Sequence, residues 1–301
     1  MLRKFLCVAA LAAFAVPAQA GILSNLLTFN SQEDTLIDQS VDGIFDTDSN
    51  GIDVGDVLYG IAQIDQVQPD GGTSINTPPD AIAIAVAAKI TNVSGTLTGV
   101  GLESLDLTFG VSDAAGLTLN DLLGPGADVT AAGSVFGVFE QKDAPKDPID
   151  YLNDDSGAAP TGLANLSAAN GWKYVASGGL KGTNDHGDTD FFEASLIFNN
   201  GVLLTGVQRG GFSILDDTFG PSVSYLPVSI DNIAGTSTTG HDIVILPGST
   251  ISAANTPFST NGWDYENNAS YRLNAVPEPA SFAVWSLILV GGAASKRRRR
   301  K

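Results

Sequence analysis

Cysteine is almost missing from this chain. The single cysteine, Cys7, and the single methionine, Met1, both lie within the first twenty residues. The long remainder therefore excludes disulfides, thiolate metal sites, iron–sulfur clusters and a cysteine nucleophile. Histidine is scarce too. His186 and His241 are the only two, and neither stands in the His-x-x-x-His or His-x-x-Glu-His spacing of a zinc hydrolase. No Gly-x-Ser-x-Gly elbow occurs, and Gly-rich pieces such as Gly178-Gly179 lack the Lys-Ser/Thr that completes a phosphate loop. Positive charge is depleted as well. Between Gly21 and Ala275 stand seven of the 15 basic residues and 32 of the 33 acids, a net charge of −25. A surface of that sign repels phosphate backbones, so nucleic acid is excluded as a partner.

What the chain does have in abundance at its two ends is addressing information. Arg3 and Lys4 precede an apolar run from Phe5 to Val16, and Ala18-Gln19-Ala20 stands before Gly21. This is the charged, apolar and small-x-small order of a secretory signal peptide, with Ala18 and Ala20 the small residues of the cleavage site and the cut expected before Gly21. At the other end, Val276-Pro277-Glu278-Pro279 leads into an apolar stretch, 280–295, and then Lys296, Arg297, Arg298, Arg299, Arg300 and Lys301. Sixteen helical residues reach about 24 Å, short of a hydrocarbon core of about 30 Å. Long arginine side chains make up the deficit by reaching the headgroups, and the basic run is expected to stay cytoplasmic with the body outside. Pro277 and Pro279 carry no amide hydrogen, so the segment ahead of the apolar stretch is expected to be extended.

Those three parts in that order resemble the PEP-CTERM sorting domain of Gram-negative bacteria, over about 26 of the 301 residues. The resemblance implies recognition of Pro277, Glu278 and Pro279 by an exosortase, an integral membrane enzyme, and removal of the anchor afterwards. It implies a transient stay in the inner membrane, with Lys296 to Lys301 as the cytoplasmic stop. Leu246-Pro247-Gly248-Ser249-Thr250 only superficially resembles a sortase signal and reads as a strand end and turn.

The chain thus divides into a signal peptide, 1–20, an exported body, 21–275, and a sorting tail, 276–301. No part of the body sustains a helical apolar stripe over four turns. Alternation is common instead. In Ala81–Val86, Ile82, Ile84 and Val86 share one face and alanines the other. Similar runs occur at Ser104–Val111, Val135–Glu140, Phe191–Phe198, Val202–Val207, Ile243–Leu246 and Ser270–Leu273. Asn200-Gly201 between two apolar runs is the strongest hairpin signal, since both residues tolerate positive φ. Short helices are expected at Leu117–Leu123 and Leu163–Ala169. The pattern predicts an all-β body, an antiparallel sandwich or jelly roll, with a possible sub-boundary in the polar stretch 142–162.

The acids of the body are 27 Asp and five Glu. Asp closes turns through local hydrogen bonds and Glu does not, so most of this charge is turn chemistry. One run exceeds it. Asp46, Asp48 and Asn50 followed by Gly51 match the opening of a calcium loop of the EF-hand or dockerin type, with oxygens at positions 1, 3 and 5 and Gly at 6. Position 8 is then Asp53 rather than an apolar residue, and position 12 is Val57 rather than an acid; a one-residue deletion, or a different β-hairpin loop, reconciles the spacing. Asp46, Asp48, Asn50 and Asp53 are the expected calcium ligands. A second acidic run, Asp185-His186-Gly187-Asp188-Thr189-Asp190 with Glu193, suits a cation or a sugar hydroxyl as well as an ordinary loop. Two Trp-x-Tyr pairs, Trp172/Tyr174 and Trp263/Tyr265, suit core packing first and sugar stacking second.

No catalytic residues are singled out, and the chain is not read as an enzyme. The expectation is an exported structural or adhesive protein of the cell surface or extracellular matrix, calcium being its one candidate cofactor and extracellular polysaccharide a candidate partner. The alternatives are a carbohydrate-binding module or glycan hydrolase, and a periplasmic-side domain whose tail is never cut.

Overall fold

Strict alternation of apolar residues commits a segment to a strand with one buried face, and enough such strands paired edge to edge close on themselves. A computed structural model of the chain describes residues 21–27, 33–69, 72–77, 80–113, 117–124, 129, 131–142, 163, 166–219, 223–246, 248–253 and 264–277. A short helix α1 (Ile22–Leu26) precedes β1 (Asp34–Phe45), β2 (Val57–Pro69), β3 (Ile75–Asn76), β4 (Ala81–Gly95) and β5 (Leu102–Val111). Helix α2 (Leu119–Leu123) follows, then β6 (Ser134–Gln141), β7 (Lys173–Gly179), β8 (Phe191–Asn199) and β9 (Val202–Asp217). The last third holds β10 (Val223–Tyr225), β11 (Val228–Asp231), β12 (Ser237–His241) and β13 (Ile243–Ile245). It ends with β14 (Thr250–Ala253), β15 (Tyr265–Asn268), β16 (Ser270–Leu273) and β17 (Ala275–Pro277).

The antiparallel all-β body is as expected, but the main sheet closes into a barrel where two facing sheets were anticipated. The ring runs β1–β2–β4–β6–β7–β9–β13–β16 and back to β1, every pairing antiparallel. Four of its staves are long strands, and along β4, β9 and β1 the neighbour changes part way. β4 pairs β6 through Ala81–Val86 and β5 through Ala88–Gly95. β9 pairs β8 and β14 in its first half and β7 and β13 further on. β1 pairs β16 at Asp34–Ile37 and β15 at Ser40–Asp42. β5 and β8 pair with each other, as do β14 and β15. The barrel is therefore tall, with short strands stacked end to end between long ones. Closure removes the sheet edges that a sandwich would have to protect. β10 pairs β17, and β11 pairs β12, as two small separate ribbons.

Alternation along β4 shows how the layers form. Ile82, Ile84 and Ile90 belong to the interior cluster with Leu36, Ile64, Phe136, Phe192 and Phe212. Ala81, Ala83, Ala85 and Ala87 face outward, into a second cluster with Leu119, Leu122, Leu123, Leu163, Leu166 and Trp172. Small alanines on the outer face let α2 and the segment around Leu163 lie close against the barrel wall, so β4 is buried on both sides. A capping box sets the start of α2: Thr118 Oγ1 accepts from the Asp121 amide at 3.2 Å, and Asp121 Oδ2 accepts from the Thr118 amide at 3.1 Å. A third cluster, Val228, Ile230 and Val244, seats the β11–β12 ribbon on the barrel.

Asn200 and Gly201 form the β8–β9 turn with φ of 51° and 78°, the left-handed geometry that their side chains allow. Between β13 and β14 the Ser249 hydroxyl donates to the Leu246 carbonyl at 2.9 Å. Where a helix over Leu163–Ala169 was expected, Leu163 and a short 3-10 turn, Ala168–Asn170, are the helical parts among the described residues. β6 and β7, which flank residues 142–162, pair directly in the same sheet. Among the described residues no helix is long and apolar enough to cross a membrane. Residues 1–20 and 278–301 lie outside the described residues, and with them Ala18, Ala20, Glu278, Pro279, the 280–295 stretch and Lys296 to Lys301.

Candidate functional site

The loop between β1 and β2 gathers the acids that the sequence singled out. Asp46 follows the last residue of β1 and folds the loop around its own carboxylate. Its Oδ1 accepts from the amides of Asp48 at 3.2 Å, Ser49 at 2.5 Å and Asn50 at 3.3 Å, and its Oδ2 from Gly51 at 2.8 Å. These amides, that of Gly51 foremost, hold the Asp46 carboxyl below the usual carboxylate range. Ser49 at φ 64° and Gly51 at φ 100° supply the left-handed turns that aim the amides inward. Asn50 Nδ2 donates to Asp48 Oδ2 and to Asp53 Oδ2, each at 2.9 Å.

Asp56 completes the group from the other end of the loop. It is fully buried, accepting from the Thr47 amide at 2.8 Å and hydroxyl at 3.2 Å through Oδ1, and from the Asp53 amide at 2.9 Å through Oδ2. Oxygens of Asp46, Asp48 and Asp56 lie within 4.8 Å of one another, the one such group among the described residues. Asp48, exposed at the centre, is pushed up by partial desolvation and then by the charges of Asp53, Asp46 and Asp56.

All four expected ligands therefore meet in one loop. Asp46 and Asp48 converge directly, while Asp53 joins through the Asn50 amide. Asp56 was not among the expected ligands. It sits at position 11, one short of the acid that the familiar loop carries at position 12, and that offset was its signal. The donors are all hard oxygens, which fits calcium. A cation among Asp46, Asp48 and Asp56 relieves the like-charge repulsion at Asp48. For Asn50 to join such a cation its amide would have to turn, presenting the oxygen in place of the Nδ2 that bridges Asp48 and Asp53.

The second acidic run is a latch. Asn184 Nδ2 donates to Asp190 Oδ1 at 2.8 Å and to the Gly240 carbonyl at 2.7 Å. Asp190 Oδ2 accepts from the Ser213 hydroxyl at 2.6 Å and the Lys181 amide at 2.9 Å. His241, fully buried, sets Nδ1 2.9 Å from Asp190 Oδ1 and Nε2 3.0 Å from Thr238 Oγ1. His186 Nε2 lies 2.8 Å from Asp242 Oδ1, whose other oxygen accepts from the Ile214 amide at 2.8 Å. Both histidines of the chain thus pair with aspartates and tie the 184–190 loop to β12, β13 and β9.

The hydroxyl–imidazole–carboxylate line at Thr238, His241 and Asp190 is not an activated nucleophile. The Thr238 hydroxyl spends its proton on the Ile230 carbonyl at 2.8 Å, and the imidazole has no exposed surface. Hydrogen bonds from His241, Ser213, Asn184 and the Lys181 amide outweigh the desolvation that opposes them and keep the Asp190 carboxyl low. Burial dominates at Asp242 and raises it. Glu193 is also taken, accepting from the Ile233 amide at 3.2 Å.

Trp172 and Tyr174 are buried under the α2 side of the barrel, with the Tyr174 hydroxyl donating to Ser177 Oγ at 2.9 Å. Core packing accounts for that pair, and it offers no face for stacking a sugar. Tyr265 is half-buried against the interior cluster; Trp263 lies outside the described residues. Pro277 ends β17, opposite Val223 of β10, so the backbone is extended there, as its missing amide hydrogen led one to expect. No protein-family model matches the chain, and no curated protein or solved structure is significantly similar to it.

Proposed function

We propose that this is an exported barrel protein with a structural or adhesive role at the cell surface or in the extracellular matrix. On this reading the signal peptide, 1–20, with Ala18 and Ala20 at its cleavage site, is removed on export. The 280–295 stretch then holds the protein transiently in the inner membrane, with Lys296 to Lys301 on the cytoplasmic side. An exosortase-type enzyme recognises Pro277, Glu278 and Pro279 and cuts the anchor, and the body bridges to acidic polysaccharide through calcium. The observation that carries the reading is the exposed β1–β2 loop. There Asp46, Asp48 and Asp56 converge on a body of net charge −25, a surface built to accept divalent cations rather than polyanions.

The test is fractionation of cells expressing the native chain or Glu278→Ala, followed by sedimentation of the released protein with matrix, with and without Ca²⁺. Native protein is expected outside the inner membrane, shortened by the tail, and sedimenting only with Ca²⁺. The Glu278→Ala chain is expected to stay full-length in the membrane. Native chain that remains intact in the membrane overturns the sorting reading, and calcium-independent behaviour overturns the bridging role.

A further inference from the structure

The barrel interior carries polar side chains that an apolar core has no use for. Along β1 the inward positions run Leu36, Asp38, Ser40 and Asp42. Across the ladder Leu36 faces Tyr271, Ser40 faces Asn267, and Asp42 faces Gly60 on its other side. Asp38 and Asn267 are each 4% exposed. Gly60 is required for this arrangement, because a Cβ there falls 2.0 Å from Asp42 Oδ1. A cavity of about 30 Å³ lies among Asp42, Asn267, Gln208, Phe136, Phe192 and Phe212, with Ser40 and Tyr271 at its margin. That is room for one or two waters or one small cationic head.

The fully buried side-chain atoms left without a partner along this part of the interior are oxygens. Both oxygens of Asp38 and the amide oxygen of Asn267 have no hydrogen-bond partner. The Ala269 amide and the Tyr271 hydroxyl are near Asp38 but outside hydrogen-bonding geometry. Asp42 has only the Asn267 amide nitrogen, at a long 3.4 Å. Each buried acceptor left this way keeps its full desolvation penalty. Of the oxygens that line the cavity, Asn267 Oδ1 has no partner and Asp42 has only that long contact, so a ligand seated between these two must bring donors. An anion is repelled by the Asp42 carboxyl once that group ionises above about pH 7. A metal ion is disfavoured because no third acid converges here; the acids that do converge are in the β1–β2 loop. An alkylammonium group has three donors, no acceptor and a positive charge that aromatic faces attract, and it complements both walls of the cavity. Eight-stranded barrels have an interior wide enough to hold one such small ligand.

We propose that the barrel interior is a binding site for a small primary ammonium compound. Its –NH3⁺ group donates to Asp42 and to Asn267 Oδ1, and its carbon end, of methyl or ethyl size, lies against Phe136, Phe192 and Phe212. The site is separate from the calcium loop and stands whether or not the body associates with a matrix.

The experiment is an NMR titration of the ¹⁵N-labelled full chain in detergent with ethylammonium chloride, following the side-chain amides of Asn267 and Gln208. Saturable shifts at millimolar concentration are expected, with no such response to potassium chloride at equal ionic strength. Asp42→Asn, which keeps the shape and removes the charge, should weaken binding by roughly thirtyfold or more. Asn267→Leu removes one acceptor and is the second variant should the first fail to fold; thermal melting checks both. No saturable shift, equal shifts with potassium, or binding unchanged in a folded variant each overturns the proposal.

Discussion

Replacing Asp42 with asparagine should change how the stability of this barrel depends on pH, and the size of the change follows from where the carboxyl sits. Burial pushes the Asp42 carboxyl up from 3.8 to about 7, with the Asn267 amide pulling weakly the other way. In the unfolded chain the group titrates near its ordinary value of about 3.9. Between those two values the folded state holds a proton that the unfolded state has released, so stability falls as pH rises. The contribution is complete below about pH 4 and is lost by about pH 7. Three units at 1.36 kcal/mol each amount to about 4 kcal/mol, of which more than half falls between pH 5 and pH 7. Asparagine has no proton to lose. Urea unfolding of both proteins at half-unit steps from pH 5 to pH 8 gives the difference directly, and general repulsion within an acidic surface cancels in it. The native protein should lose about 2–3 kcal/mol relative to Asp42→Asn from pH 5 to pH 7. Asp38 is raised by burial and secondarily by the Asp42 charge, so part of its own titration should relax in the variant as well. Parallel stability curves across that range would refute the claim that Asp42 is desolvated inside the barrel.

Other substitutions separate the latch, the packing and the loop. Asp190→Ala strips partners from His241, Ser213, Asn184 and the Lys181 amide at once, and should cost about 3–5 kcal/mol in urea unfolding. The same substitution at exposed Asp185, which pairs only with Lys181 at 3.1 Å, should cost under about 1 kcal/mol. In β7, Gly178→Ala places a Cβ 2.2 Å from the Phe136 ring and 2.9 Å from the Ser213 carbonyl, and should lower stability by about 1–3 kcal/mol in a thermal melt. Asp48→Asn should abolish the calorimetric signal of millimolar Ca²⁺ while leaving the melting temperature in chelator unchanged, because Asp48 is exposed and holds no strand in place.

Much of the strand content was legible because alternation has a local cause. Ile82, Ile84 and Val86 share a face by strand period, and Asn200-Gly201 marks the β8–β9 turn by residue type, to which the fold adds hydrogen bonds between Asn200 and Gly101. β1 and β2 were harder to see. Asp38, Ser40 and Asp42 occupy inward positions where apolar residues would have marked a strand, so the polar interior hid the alternation that would have announced it. The calcium-like loop was read from spacing alone as far as Asp53. Asp56 escaped because its place in the group depends on how the chain re-enters β2, with the Thr47 and Asp53 amides fixing its carboxylate. The histidines gave no local sign of their partners, since His241 meets Asp190 only when β12 is folded over the loop ahead of β8.

The sequence by itself determined the charge of the body, its exclusion of thiol chemistry, the composition of its ends, its strand-forming segments and the loop in which four oxygen-bearing side chains crowd together. These are properties of neighbours along the chain, separated by a few residues and set by periodicity, turn geometry and charge. Whether the strands formed two sheets or one closed ring was decided only in three dimensions. The same alternation serves a sandwich and a barrel equally, and closure depends on β1 finding both β2 and β16 across more than 230 residues of chain. Tertiary structure likewise decided that Asp42, Asn267 and Phe212 share one cavity, because inward positions on three strands distant in sequence become neighbours only once the ring is shut.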